Sequence, residues 1–358
     1  MVRRAAAHYR LRQEVADLHP GYAALVMATG IVSTGLELFG AHALSTVLLM
    51  LAILALAVLI VTYTWRAVRF PQRVIDDVQN PSRGFGYFTL VAAPNVVGMR
   101  LAEDHPLTCA VLGLTTVPIW LVVTYVVPGA MVVGQRQAPV LPKTDGSWFM
   151  WVVGTQSLAA AAATVAAVEP SLTASLAPLA VAFWGVAVVL YLMLVGLVTV
   201  RLLDSPVAPH ALSPTYWVYM GATAISVLAG AKILDLPPTL PVLVATKQVV
   251  SGLAFVLWAF GTWWIPLLLA FAVRRHLVDR ERVEYEPALW SMVFPLGIYA
   301  AASATYGRTT GLAFMVNIAR VEVWFGLAAW VVIAVAMCRS FLRRGDRPEP
   351  ASSAHAES

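Results

Sequence analysis

A few charged side chains interrupt otherwise long apolar runs of this chain, and they are the first candidates for chemistry. Glu37 lies near the end of one run, Lys247 lies in a second, and Arg320 and Glu322 lie in a third. A charge inside an apolar helix is costly, so such residues favour an ion or substrate site. We expect these four residues to form a charged vestibule or a coupling site. A neutralised structural cluster is the alternative, as is simple contact with water for Glu37.

Motifs for other kinds of chemistry are absent from the sequence. It contains no G-x-x-x-x-G-K-[ST] phosphate loop, no H-E-x-x-H and no G-x-S-x-G. The two cysteines, Cys109 and Cys338, give neither a disulfide framework nor a metal pattern. The seven histidines fall at the ends of apolar runs or in tails, away from the depth where haem ligands would lie. We therefore expect no enzyme, no metal and no cofactor.

The composition excludes a soluble globular protein. Of 358 residues, 59% are hydrophobic and 12% are charged, with a mean hydropathy of +0.76. A soluble domain carries about 25% charged residues. The net charge of +5 would suit an acidic partner in a soluble chain, but the positions of these charges predict membrane topology instead, so we expect no nucleic acid partner. The sequence predicts an all-α polytopic membrane protein that lies in a lipid bilayer.

Ten apolar segments are long enough, or nearly so, to cross a bilayer, which takes about 20 residues. The third is short and contains Pro94 and Gly98, so we expect it to be bent. The predicted spans are 20–39, 42–65, 87–101, 106–133, 148–167, 175–202, 214–235, 242–273, 287–306 and 311–341.

The basic residues orient these spans. With the N-terminus in the cytosol, 19 of the 24 Lys and Arg residues fall on the cytosolic side, as the positive-inside rule requires. We therefore expect a plasma-membrane protein with both termini in the cytoplasm. The expected divisions are a cytosolic segment at 1–18, a transmembrane domain at 19–341 and a disordered cytosolic tail at 342–358.

Odd-numbered and even-numbered spans differ in composition. The first and ninth are rich in small residues, whereas the second is rich in bulky aliphatic ones. Small residues allow close helix contacts or leave space beside a helix. This pattern predicts five hairpins, with odd helices inside around a polar path and even helices outside. Serine and threonine can instead bond to a backbone carbonyl or a neighbouring helix, which leaves the polar path open to an alternative.

Several motifs then resemble a known family. The first span begins with His19-Pro20-Gly21-Tyr22 and continues with Met27-Ala28-Thr29-Gly30-Ile31-Val32-Ser33, and the fifth contains Gly154-Thr155-Gln156. The ninth contains Phe294-Pro295-Leu296-Gly297. In this order the motifs resemble the tellurite-resistance/dicarboxylate transporter family, to which plant slow anion channels are related. The likeness covers about residues 19–341.

The resemblance implies a ten-helix fold around a central pore, a homotrimer, small anions as cargo, and Phe294 as the residue that blocks the pore. Tyr299 departs from the family pattern, where we expect a smaller residue, and Gly221 and Gly230 both qualify as the small residue of the seventh span. Together, the composition and the resemblance predict a pore lined by Thr29, Gly30, Ser33, Pro94, Asn95, Gly154, Thr155, Gly221, Thr223, Ser291, Pro295 and Gly297.

Two functions remain open within that family, and one lies outside it. The first is an anion channel or uniporter, whose weak, uncharged lining lets an anion leave again. The second is a proton-coupled exporter of a dicarboxylate, sulfite or a tellurite-related oxyanion, with Glu37 or Glu322 as the titratable group. The third, an intramembrane enzyme or electron carrier, would require a bound cofactor.

Overall fold

The computed structural model describes residues 11–133, 139–204, 213–274 and 285–345, and no strand occurs in these ranges. Parts of the expected segments 1–18 and 342–358 lie outside them. The helices of the predicted spans are labelled α1 to α10 in chain order. They are Ala24–Leu38, His42–Arg69, Thr89–Leu101, Pro106–Val133, Met150–Val168, Thr173–Asp204, Val218–Leu234, Pro241–Val273, Trp290–Thr310 and Ala313–Gly345.

Within the described ranges, nine helices are long and apolar enough to cross a membrane, and α3 is the exception. The predicted all-α polytopic membrane protein is confirmed. Helix α3 has 13 residues and includes Pro94, and the 3-10 turn Gly84–Phe88 lengthens it at its start. A tenth span therefore stays a prediction. The last helix runs to Gly345, past the expected boundary at 341.

Five of the helices contact one another in a closed ring, in the order α1, α3, α5, α7, α9 and back to α1. Each ring helix also packs against the helix that follows it in the chain. In the most apolar stretch of each helix, 67–89% of the residues of α1, α5, α7 and α9 are buried, against 17–33% for the even-numbered helices. The ring thus forms the interior, and the bulky aliphatic helices form the face available to lipid.

Every ring helix begins with a 3-10 turn at the same end of the ring, and these five turns also contact one another in a closed ring. The turns are Pro20–Ala23, Gly84–Phe88, Gly146–Phe149, Pro214–Trp217 and Pro287–Leu289. We call this the inner end, after the predicted topology, and the opposite end the outer end.

Three of these turns are capped by the side chain of the residue just before the turn. The Nδ1 atom of His19 accepts a hydrogen bond from the backbone N–H of Gly21. In the same way, Asp145 accepts a hydrogen bond from the backbone N–H of Ser147, and Ser213 accepts one from the backbone N–H of Thr215. Such caps satisfy backbone donors that a helix start otherwise leaves open.

A buried ion network joins helix α2 to the inner end of the ring. The short helix Pro71–Gln79 follows α2 and carries Asp77. The guanidinium of Arg66 donates to the Asp77 carboxylate at 2.6 Å, to the Tyr87 hydroxyl at 3.0 Å and to the Ala16 carbonyl at 3.1 Å. Arg83 pairs with the other oxygen of Asp77. Since Arg66 is only 1% exposed, this pairing supplies the partners that water would otherwise provide.

Candidate functional site

The outer end of the ring contains a cavity of about 100 Å³, which we call the outer cavity. Its lining comes only from α1, α3, α7, α9 and the residue Glu103 just beyond α3. No outer helix contributes to it, so the cavity lies over the space that the ring encloses. Its apolar walls include Ile31, Val96 and Leu228, and Thr34 and Thr305 add hydroxyl groups.

Four charged residues line the outer cavity: Glu37, Arg100, Glu103 and Lys232. The Nη2 atom of Arg100 donates to Glu37 Oε2 at 2.6 Å and to Ser45 Oγ at 3.0 Å. The other oxygen of Glu37 lies 2.9 Å from Nδ1 of His42. The charge of Arg100 is therefore balanced by Glu37.

A second cavity of about 170 Å³ adjoins the first and brings in helix α5 through Ala163, Thr164 and Ala167. Met99, Glu103 and Lys232 line both cavities. The outer ends of all five ring helices thus contribute to these two cavities, and Lys232 lines both.

Phe294 lies deeper in the ring, on helix α9, and is fully buried. It precedes Thr305 by eleven residues, close to three helical turns at about 3.6 residues per turn, so both side chains lie on one face of α9. Because Thr305 lines the outer cavity, Phe294 faces the same axis about 16 Å further in. By the same count, buried Met27 lies two turns below Thr34 on α1.

The glycines predicted to line the pore lie where ring helices approach one another. A Cβ atom on Gly221 would come within 2.8 Å of Pro295, and one on Gly154 within 2.9 Å of Phe88. Gly30 meets Val96, and Gly297 meets Ile31. Their missing side chains allow α1, α3, α5, α7 and α9 to close into a ring, and Pro295 takes part in that packing.

The predicted polar lining residues are buried, and many of their hydrogen bonds run to the outer helices. Trp330 of α10 donates to Thr29 at 2.9 Å, and Trp120 of α4 donates to Thr155 at 2.8 Å. Ser33 exchanges hydrogen bonds with Ser45 of α2.

The remaining polar side chains bond to helices or lie close to one. Asn95 donates to Thr116 of α4 and to Ser157 of α5. Thr223 donates to the carbonyl of Met220 and lies against Gly261 of α8. Pro94 and Ser291 are buried in α3 and α9. These contacts match the alternative of hydrogen bonds to neighbouring helices, and pore lining by these residues stays a prediction.

The structure separates the other predicted charged residues from Glu37. Lys247 is exposed on α8, Arg320 is exposed on α10, and Glu322 is half-buried there. Of the four, only Glu37 lines the outer cavity. Among the described residues no group of three or more His, Cys, Asp or Glu side chains could hold a metal ion.

The ring, the buried Phe294 within it and the charged cavity at its outer end suggest passage of an ion, and comparison with known proteins gives the family. Residues 17–338 match the SLAC1 family, described as voltage-dependent anion channels. The chain belongs to the SLAC1 family. The resemblance drawn from the motifs is thereby confirmed.

Relatives of this SLAC1 family chain come from bacteria and archaea. An uncharacterized membrane protein of Mycobacterium tuberculosis is 44% identical over 148 residues, which are 41% of this chain and 75% of that protein. An uncharacterized transporter of Methanocaldococcus jannaschii is 21% identical over 91% of this chain and 95% of its own length. A second one is 24% identical over 79% and 82%.

Sequence reasoning missed two residues of the site in this SLAC1 family member. It counted Arg100 and Lys232 only among the basic residues of the outer side, which were used to orient the spans in the membrane. Both lie in the last turn of a ring helix. That shared position was the available signal, because last turns of helices that start at one end meet at the other end.

Proposed function

We propose that this protein is an anion channel or uniporter that passes small anions through the centre of the five-helix ring, with Phe294 as the gate. The observation that carries the proposal is the position of Phe294, fully buried on the face of α9 that also lines the outer cavity. Membership of the SLAC1 family supports an anion as the cargo.

The middle of the ring supports gating by exclusion of water. Below the outer cavity, two large side chains that periodicity turns toward the axis, Met27 and Phe294, are apolar. A hydrophobic constriction of this kind blocks ions by dewetting, and a weakly binding lining lets an anion leave. Pro295 has no backbone N–H and interrupts the hydrogen bonding of α9 beside the gate. The proposal includes α3 as a tenth span, the plasma membrane, cytoplasmic termini and a homotrimer.

The test is chloride flux into liposomes by the purified full chain, measured per folded protein. We expect Phe294→Ala to raise flux several-fold, because the substitution removes the phenyl group that keeps water out of the constriction. If Phe294 only packs between helices, the variant loses about 3–5 kcal/mol of stability and gains no flux.

Phe149→Ala is the matched control. Phe149 is also fully buried in the ring, but its side chain packs on Tyr219 and Tyr191, with ring centres 4.5 and 5.5 Å away. We expect this variant to lose stability without gaining flux. Flux in Phe294→Ala that is equal to or lower than in the wild type would refute the gate. Flux that follows an imposed proton gradient would instead favour the coupled exporter of a dicarboxylate, sulfite or a tellurite-related oxyanion.

A further inference from the structure

We infer that Lys232 is an anion-binding residue at the outer end of the ring, where it holds a small monovalent anion between the two adjoining cavities. This inference rests on the proposed function, because it assigns a binding site on the path proposed there. Neither the motifs nor the composition pointed to this residue.

The first support is the charge balance around the two cavities. Arg100 is paired with Glu37 at 2.6 Å. Within the part of the chain that the structure describes, Lys232 has no carboxylate within 4.0 Å and no hydrogen-bond partner. Glu103 and Asp235 on the cavity walls are exposed, and their carboxylates act on the Lys232 charge only at longer range. Lys232 itself is half-buried.

The second support is the chemistry of the remaining lining. The hydroxyl of Thr34 donates to the carbonyl of Gly30, and that of Thr305 donates to Ala301. Those hydrogens are engaged, so both threonines offer an anion only lone pairs. The Lys232 ammonium carries three donors, and it is the cation of the outer cavity that has no described carboxylate within 4.0 Å.

The third support is the field of the ring helices. Their carboxyl ends surround the outer cavity, and each helix end carries about half a negative charge. Glu37, Glu103 and Asp235 add carboxylates to the same region. An anion would be repelled here unless a cation faced it. A lysine in the last turn of a helix also stabilises that helix through its dipole. The experiment therefore has to separate this stabilising role from anion binding.

The experiment compares Lys232→Gln and Lys232→Arg with Lys247→Gln. Lys247 is the matched control because it lies in the outer half of α8, is exposed, and lines neither of the two cavities. Radiolabelled chloride is exchanged at equal concentrations across liposomes, so the orientation of the protein does not matter. We expect the half-saturating chloride concentration to rise about tenfold in Lys232→Gln, since one focused charge changes local anion concentration by that order. Lys232→Arg should stay near the wild type, and Lys247→Gln should be unchanged.

A second measurement does not depend on transport. Chloride replaces gluconate at constant ionic strength while the thermal unfolding of the purified protein is followed. Binding to the native state raises Tm as chloride increases, and we expect this rise in the wild type and Lys247→Gln but not in Lys232→Gln. A wild type without anion flux would refute the proposed function, whereas this titration still decides the role of Lys232.

Three results would overturn the inference. One is equal half-saturation in Lys232→Gln and the wild type, and another is an equal loss in Lys247→Gln. The third is a lower Tm for Lys232→Gln without chloride but an unchanged response to chloride, which would leave Lys232 with a role at its helix end alone.

Discussion

The inner end of the ring is closed by contacting 3-10 turns and a buried ion network, whereas the outer end opens into cavities around Lys232, which has no described carboxylate within 4.0 Å. At the inner end, five 3-10 turns contact one another, and aromatic rings fill the space between them, as where Phe85 meets Trp148 at 4.6 Å. Asp77 pairs with both Arg66 and Arg83 there. At the outer end, Arg100 is paired with Glu37, and Lys232 has no described carboxylate within 4.0 Å.

The direction of the ring helices explains this difference. All five point their amino ends, with their partial positive charge, toward the inner end. An anion arriving there meets a favourable field from the backbone alone, so the basic side chains can serve structure. At the outer end the helix ends are negative, and a side chain has to provide the positive charge. At the inner end, Arg66 and Arg83 therefore serve structural pairing, whereas at the outer end Lys232 serves anion binding.

The largest expected effect tests the structural part of this comparison. Asp77→Ala leaves the buried Arg66 guanidinium without its carboxylate, and removing one partner of a buried pair costs about 3–5 kcal/mol. The control is Asp17→Ala, since Asp17 and Arg73 form a pair 3.6 Å apart with both side chains more than half exposed. Exposed pairs contribute little. Thermal unfolding in detergent should show a large drop for the first variant and none for the second, and equal stability of the two would contradict the assignment.

A smaller effect concerns pH at the inner end. Burial, and then the charge of Arg83, lower the pKa of His19 to about 4. The unfolded chain takes up a proton near pH 6.5, but the native protein does not until about pH 4. Stability is therefore complete above pH 6.5 and falls as the pH drops toward 4, by up to about 3 kcal/mol at about 1.4 kcal/mol per unit.

His19→Asn provides the test, because asparagine keeps a side-chain acceptor for the Gly21 N–H and does not titrate. Between pH 7 and pH 4.5, the wild type should lose several degrees of Tm, and the variant should lose less. Burial also raises the pKa of Asp145, the cap of the third turn, and protonation of that group stabilises the protein as the pH falls. Identical pH profiles for the wild type and His19→Asn would show that His19 does not set the acid sensitivity.

Much of the fold follows from composition, because small residues and bulky aliphatic residues alternate from span to span. The turns that start the ring helices left a signal as well. Four of the turns begin at a proline or glycine that comes directly after a capping or acidic residue. These pairs are His19-Pro20, Asp145-Gly146, Ser213-Pro214 and Glu286-Pro287. Composition alone does not show that these short segments meet in a second ring.

The site was harder to predict because its partners are distant in the sequence. Arg100 pairs with Glu37, 63 residues away, and sequence alone gives no sign of that pairing. The sequence also does not predict which way a hydroxyl on a buried helix points, because neighbouring helices cover every face of such a helix. Thr29 therefore fitted a polar path equally well, although Trp330 of an outer helix is its partner. The depth of Phe294 on the axis became visible only once Thr305 was placed in the outer cavity.

The smallest expected effect sharpens the comparison at the outer end. Glu37→Gln removes the carboxylate charge that pairs with Arg100, so the outer cavity then contains two cations without a described carboxylate within 4.0 Å. Because the Glu37 side chain is 34% exposed, the loss of stability should stay within about 1 kcal/mol. The half-saturating chloride concentration should fall about two- to threefold, well below the full effect of a focused charge, because the freed Arg100 still bonds to Ser45. This shift is opposite in sign to that of Lys232→Gln.

The control is Glu169→Gln, at the same end of the ring, where Glu169 accepts a hydrogen bond from Ser171 and lines neither cavity. Chloride exchange in liposomes measures both variants side by side. A rise in the half-saturating concentration for Glu37→Gln would mean that the Glu37–Arg100 pair holds the cavity in shape, and the charge balance would then not govern anion binding at this end.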